Sequence, residues 1–289
     1  MMLLDYSYQR TLEMRDYSSA FSRSAFKDIL DFNDFSHIKW LYDRYGTRRP
    51  QSISYLDYLK KIYSAISKEY QCEYVYKNEL LGHIVKMYGT KNTCAFNEFR
   101  VGNSIVDIAL FNGESRAFEI KTEYDTLKRL DKQLDDYKRV FDKCYLVIPH
   151  KKADLYNDID ETTGIITLKR DRGHIILQNI REAQQNNSFD LDLLMSCLRT
   201  KEYESIIKKW FGRLPDVPLC RMYNDCLCLL RKIPNQELKE MFLTEVKGRR
   251  QNTMLLLKAP SFLRQMCLSL NLSAKELLYL VTLLKKTIY

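Results

Sequence analysis

Residues 105–121 read IVDIALFNGESRAFEIK, two apolar runs of strand type joined across Asn112-Gly113, yet carrying Asp107, Glu119 and Lys121 inside them. Side chains alternate faces along a strand. Val106, Ile108 and Leu110 fall on one face of the first run, and Ile105, Asp107, Ala109 and Phe111 on the other. In the second run Phe118 and Ile120 share a face, and Ala117, Glu119 and Lys121 share the opposite one. If both apolar faces meet a core, the three charged residues converge on the other side. Register decides whether they do. A two-residue Asn112–Gly113 turn pairs Asp107 with Phe118 and sends the carboxylates to opposite faces. A three-residue loop, Phe111–Asn112–Gly113, pairs Asp107 with Ala117, sets Glu119 diagonally beside it and puts Gly113 in a left-handed position. The hydrophobic pattern selects the second register.

Two neighbouring carboxylates repel unless a cation lies between them. Oxygen ligands of this kind suit Mg²⁺ or Mn²⁺, and a lysine beside them can position or deprotonate a water. The same three charges also describe an exposed salt-bridge cluster of little energetic weight. Spacing leaves both readings open.

Working outward, residues 78–185 read as helix, three strands, helix, strand, short helix and two closing strands. That order is an α/β (α+β) fold, a mixed sheet flanked by helices. In the helix that follows the hairpin, Leu127, Leu130, Leu134, Tyr137 and Phe141 form the apolar stripe, with Asp125 as its cap. The helix before the first strand begins with Asn78 as cap and stops at Gly89. Residues 1–77 read as short, tyrosine-rich helices, and residues 186–289 as helical to the end. The chain has 289 residues, 45% apolar and 29% charged, which is ordinary globular composition. It contains no apolar run long enough to span a membrane and begins without a signal-peptide pattern, so it reads as cytoplasmic with eight reduced cysteines. The net charge of +9 is uneven, with 17 basic against 10 acidic residues after position 185. An excess of this sign points to a polyanionic partner.

Asp107, then Glu119-Ile120-Lys121 after a hairpin, with Glu79 on the preceding helix, resembles the PD-(D/E)XK nuclease superfamily, whose fold is the restriction-endonuclease-like core. Val106, not proline, precedes the aspartate, a position at which many members vary. Gln133 and Tyr137 resemble the Q-x-x-x-Y element of the recombination-exonuclease branch. The longer string E-I-K-x3-D-T-L-x-R-L-x2-Q-x3-Y is similar to an uncharacterised bacterial family of that superfamily. The resemblance covers about residues 78–150.

It implies a Mg²⁺- or Mn²⁺-dependent phosphodiesterase acting on DNA. Asp107 and Glu119 would be metal ligands with the carbonyl of Ile120, and Lys121 the catalytic lysine. Glu79 would be a metal or water ligand. Glu98 also matches the pattern, as a further metal ligand or as a structural partner of Arg100 or Arg116. Gln133 and Tyr137 would face the phosphate or order the site. Arg129, with the clusters Lys208-Lys209 and Lys247, Arg249 and Arg250, would hold the nucleic-acid backbone. An inactive nuclease-fold module that binds nucleic acid or a protein partner, and an RNase, are the alternatives; DNA is the expected partner, with a protein partner or a homodimer beside it.

Overall fold

The hairpin at residues 104–120 is the middle of a six-stranded sheet, and its neighbours explain why it carries so little exposed surface. The computed structural model describes residues 2–46, 52–171, 174–186, 189–249 and 253–289. In chain order the first elements are α1 (Met2–Ser19), α2 (Arg23–Phe32), α3 (Ser36–Tyr45), β1 (Ile53–Ser54), α4 (Tyr55–Glu69) and α5 (Glu73–Tyr88). Then come β2 (Cys94–Val101), β3 (Ser104–Phe111), β4 (Ser115–Ile120), α6 (Leu130–Lys138) and β5 (Lys143–Pro149). A 3₁₀ turn leads to β6 (Gly164–Asp171) and β7 (His174–Arg181), followed by α7 (Leu191–Cys197), α8 (Thr200–Phe211), α9 (Leu219–Leu230) and α10 (Asn235–Gly248). The chain closes with α11 (Thr253–Lys258), α12 (Arg264–Ser269), α13 (Ala274–Leu284) and β8 (Thr287–Ile288).

The sheet order is β2-β3-β4-β5-β6-β7. The pairs β2–β3 and β3–β4 are antiparallel and β4–β5 is parallel. The result is a mixed α/β fold with helices flanking a mixed sheet. Parallel pairing places β4 in the interior, and every residue of Ser115–Ile120 is buried. Among the described residues no helix is long and apolar enough to cross a membrane.

Two compact units divide the chain: Met1–Met87 with Leu168–Leu177 and Met254–Tyr289, and Tyr88–Thr167 with Gln178–Thr253. In the first, β1 pairs with β8 through Ile53↔Ile288 and Ser54↔Thr287, so the C-terminus ends as strand rather than helix. α5 starts at Glu73, ahead of the expected Asn78 cap. Asn78 lies inside the helix and is fully buried. Its amide donates to the Tyr63 hydroxyl at 2.8 Å and the Ser261 carbonyl at 2.9 Å. Gly89, at φ +68°, does end that segment.

In the second unit, Phe99, Phe111, Leu134, Phe141, Leu194 and Phe242 belong to one apolar cluster drawn from the sheet, α6, α7 and α10. α6 is fixed over β3 by two polar contacts, Ser104 Oγ to Asp136 Oδ2 at 2.6 Å and the Tyr137 hydroxyl to the Ile105 carbonyl at 2.6 Å. It begins at Leu130, later than its apolar stripe suggests, and leaves Leu127 exposed in the preceding loop. Asp125 caps nothing there. It accepts from the amide and hydroxyl of Thr122, both at 2.7 Å, and closes the loop after β4.

Candidate active site

The β3–β4 turn is a three-residue loop, Asn112–Gly113–Glu114, closed by the Phe111↔Ser115 pair, with Gly113 at φ +105°. The loop sits one residue later than the expected Phe111–Asn112–Gly113. The parity of the register is unchanged, so Asp107 and Glu119 still belong to one level of the hairpin. The ladder runs from Phe111↔Ser115 to Ile108↔Phe118 and stops there. Beyond it, the Asp107 carboxylate takes the Ile120 amide at 2.8 Å, a bond that backbone would otherwise make.

The other edge of β3 is interrupted at the same level. β2 pairs through Asn97↔Ile108 and resumes at Phe99↔Val106, leaving Glu98 opposite Asp107 with φ +56°. A left-handed residue inside a strand is costly and clusters at functional sites. It also reverses the face. Phe96 and Phe99, three residues apart, lie with ring centroids 5.7 Å apart, and both pack on Phe111. Strict alternation through this strand therefore fails at Glu98. In β3 likewise, Val106 joins Ala109 and Phe111 in the same cluster.

Glu119 is 2% exposed, so the cluster is no solvated salt bridge. Lys121 Nζ donates to its Oε1 at 2.7 Å and to Gln133 Oε1 at 3.1 Å. The Tyr137 hydroxyl lies 2.9 Å from Glu119 Oε2, and Gln133 Nε2 reaches that hydroxyl at 3.4 Å. One helical turn separates Gln133 from Tyr137, which lets α6 meet both the lysine and the glutamate. Tyr137 serves two purposes: its ring is wholly buried in the core and its hydroxyl is in the site. Burial first, then the Asp107 charge, raises the Glu119 carboxyl above its ordinary range, while Lys121 and Tyr137 oppose the rise. Burial, then Glu119, pushes the Tyr137 phenol far up.

Lys121 is paired with Glu119, and the Asp107 charge acts on that same carboxyl. Asp107 and Glu119 are the side chains here that could hold a divalent ion. Among the described residues no group of three His, Cys, Asp or Glu is gathered for a metal. Glu98 is exposed, and Arg116 pairs with Glu114 rather than with it. Glu79 belongs to the first unit, where it accepts from the Tyr63 hydroxyl at 2.5 Å.

A family model described as Bacteriophage P4 protein cII matches residues 66–274, nearly three quarters of the chain and every residue of this cluster. The chain belongs to that family. Protein cII of Enterobacteria phage P4 is 24% identical over 181 residues, covering 61% of this chain and 64% of that relative, so part of the relative's length has no counterpart in the match. A solved protein of unknown function from Silicibacter pomeroyi is similar over 46% of this chain and 88% of its own, at 14% identity and a TM-score of 0.32.

The basic residues expected to hold nucleic acid fare unequally in this cII-family chain. Arg129 is exposed just before α6, and Lys208 is exposed on α8. Lys209 pairs with Glu245 at 2.7 Å, and Lys247 is half-buried on α10. Arg249 is turned inward. It donates to both oxygens of Glu202 at 2.7 and 2.6 Å and to the Cys197 carbonyl at 2.6 Å, and it lies over the Phe96 and Phe99 rings. A guanidinium so engaged has no free face for phosphate. Arg250 lies outside the described residues.

Proposed function

We propose that the Asp107–Glu119–Lys121 cluster is the catalytic centre of a metal-dependent nuclease of PD-(D/E)XK type that hydrolyses DNA phosphodiester bonds. The observation that carries this reading is the buried Glu119 carboxyl, raised by burial and by the Asp107 charge opposite it, with Lys121 Nζ 2.7 Å from its Oε1. Asp107, Glu119 and the Ile120 carbonyl would hold Mg²⁺ or Mn²⁺, with Glu98 as a further carboxylate for the ion or its waters. So few protein donors suit Mg²⁺, which keeps several of its waters. When bound, the ion supplies charge for the phosphate oxygens and a more acidic water.

Lys121 orients the attacking water and offsets charge that builds on the phosphate. Gln133 holds the lysine and Tyr137 holds Glu119, so both are positioning residues. Arg129, Lys208, Lys209 and Lys247 are the candidates for backbone contacts. Arg249 is not, because Glu202 and Cys197 occupy it.

Incubating the chain with linear, circular and single-stranded DNA, and with RNA, in Mg²⁺, Mn²⁺ or EDTA tests this. Cleavage of DNA is expected with metal alone, falling on the order of 10²–10⁴-fold in Asp107→Asn and Lys121→Ala while affinity in EDTA persists. Undiminished cleavage in both variants overturns the assignment. DNA binding without cleavage leaves the inactive nuclease-fold module, and cleavage of RNA alone an RNase.

A further inference from the structure

We infer that the exposed face of α4 is a second nucleic-acid surface, one that binds the phosphate backbone of duplex DNA without reading sequence. It rests on the DNA reading above only for the choice of polyanion, and its test needs no cleavage. Lys60, Ser64 and Lys68 stand at i, i+4 and i+8 on α4, forming one stripe, with Lys61 beside them. They line an open groove of about 510 Å³ on the first unit. From Lys60 to Lys68 the stripe runs about 12 Å along the helix axis, and a duplex presents one phosphate charge per roughly 1.7 Å of its own axis.

The groove also contains Asp57 and Glu69, the first met by a hydroxyl and the second by a guanidinium. Ser54 Oγ donates to Asp57 at 2.6 Å as part of the α4 N-cap. Arg10 donates to both oxygens of Glu69 at 2.7 Å, and its Nη1 also meets Glu13 at 2.6 Å. Arg170 adds a further cation beside the groove, its guanidinium reaching the Ser67 carbonyl at 2.8 Å. Among the described residues Lys60, Lys61 and Lys68 hold no salt bridge, and all three are exposed. Lys60, Lys61, Lys68 and Arg170 outnumber the acids of the groove, and Glu69 has Arg10 as its cation, so the face carries an excess of positive charge complementary to a polyanion. Among the described residues no aromatic side chain lines the groove, which thus lacks the stacking platform that single-strand binders use. Duplex backbone is the occupant this chemistry fits.

The test is the affinity of the full chain for a short duplex in EDTA across a salt series. Lys60→Gln/Lys61→Gln/Lys68→Gln should reduce the slope of log K against log salt by about two to three units and lower affinity at 0.1 M salt about a hundredfold. Glutamine keeps the helix propensity of lysine, so the melting temperature should hold. The corresponding triple Lys→Arg variant should retain the wild-type slope. An unchanged slope in the Lys→Gln variant overturns the inference, as does a slope lost equally in both variants. If that Lys→Gln variant loses only binding to phosphatidylserine vesicles, the surface serves a membrane and not DNA. Binding lost here with metal-dependent cleavage intact, or the reverse, separates this surface from the catalytic reading.

Discussion

Two ion pairs in the second unit bury their charges to a similar degree, and they are built in opposite ways. Side chains of Arg249 and Glu202 are 10% and 11% exposed, and those of Lys121 and Glu119 are 11% and 3% exposed. At Arg249, one carboxylate meets one guanidinium in a two-pronged bond, a carbonyl takes a further N–H and two aromatic rings cover the face. Every charge there is answered. At Lys121, one ammonium serves Glu119 while Asp107 adds a second negative charge, and Glu119 is lifted out of its ordinary range. The two-pronged pair reads as architecture, and the pair whose carboxyl is raised by burial and a second carboxylate is the candidate for chemistry.

Breaking the compensated pair should have the largest effect on the fold. Arg249→Ala leaves Glu202 buried without its cation, at a cost of about 3–5 kcal/mol. The melting temperature should fall by roughly 10 °C. DNA affinity of the still-folded variant, measured well below that temperature, should match the wild type. A loss of affinity at unchanged stability would return Arg249 to the phosphate-binding surface.

A smaller effect is expected at the seam between the two designs, where Tyr137 is core by its ring and site by its hydroxyl. Tyr137→Phe keeps the ring and deprives Glu119 Oε2 and the Ile105 carbonyl of a neighbour, costing about 1–3 kcal/mol in denaturant unfolding. The hydroxyl opposes the rise of the Glu119 carboxyl, so its removal should move that titration further up. Carboxyl-carbon NMR of Glu119 reads this directly, and a downward move would contradict the assigned contact.

The smallest effect is one of pH. The folded chain holds the Glu119 proton more tightly than the unfolded chain, whose value is near the ordinary 4.5. Stability contributed by this group is therefore fully present below about that pH, and it is lost as pH rises through the raised folded value. Asp107→Asn removes the second cause of the rise, so melting temperature against pH should be flatter in the variant. An equally steep loss in both would mean that Asp107 exerts no repulsion.

Much of the hairpin was legible because parity is robust. Moving the loop from Phe111–Asn112–Gly113 to Asn112–Gly113–Glu114 shifts the pairing by two, and a shift of two keeps the same residues on a face. The α-β-β-β-α order and Gly113 followed from the same pattern. Strict alternation was the weak step. Glu98 adopts a left-handed backbone for which its side chain gives no signal, and the ladder opens around Asp107. Burial of Glu119 was also hidden, because α6 covers the face that a hairpin alone would leave to solvent. Composition located the positive charge of the C-terminal third but not its partners. Glu202 lies 47 residues from Arg249, and such a pairing is set by packing rather than by local pattern. The β1–β8 pairing, between the start of α4 and the chain end, escaped for the same reason.

The central claim is that Asp107 and Glu119 share a divalent cation. The most direct measurement is Mn²⁺ binding to the full chain at neutral pH, followed by electron paramagnetic resonance. The wild type should bind Mn²⁺, the binding should be lost in Asp107→Asn and in Glu119→Gln, and the triple α4 Lys→Gln variant should bind as the wild type does. Equal binding by the wild type and both carboxylate variants would place the ion elsewhere and contradict the account.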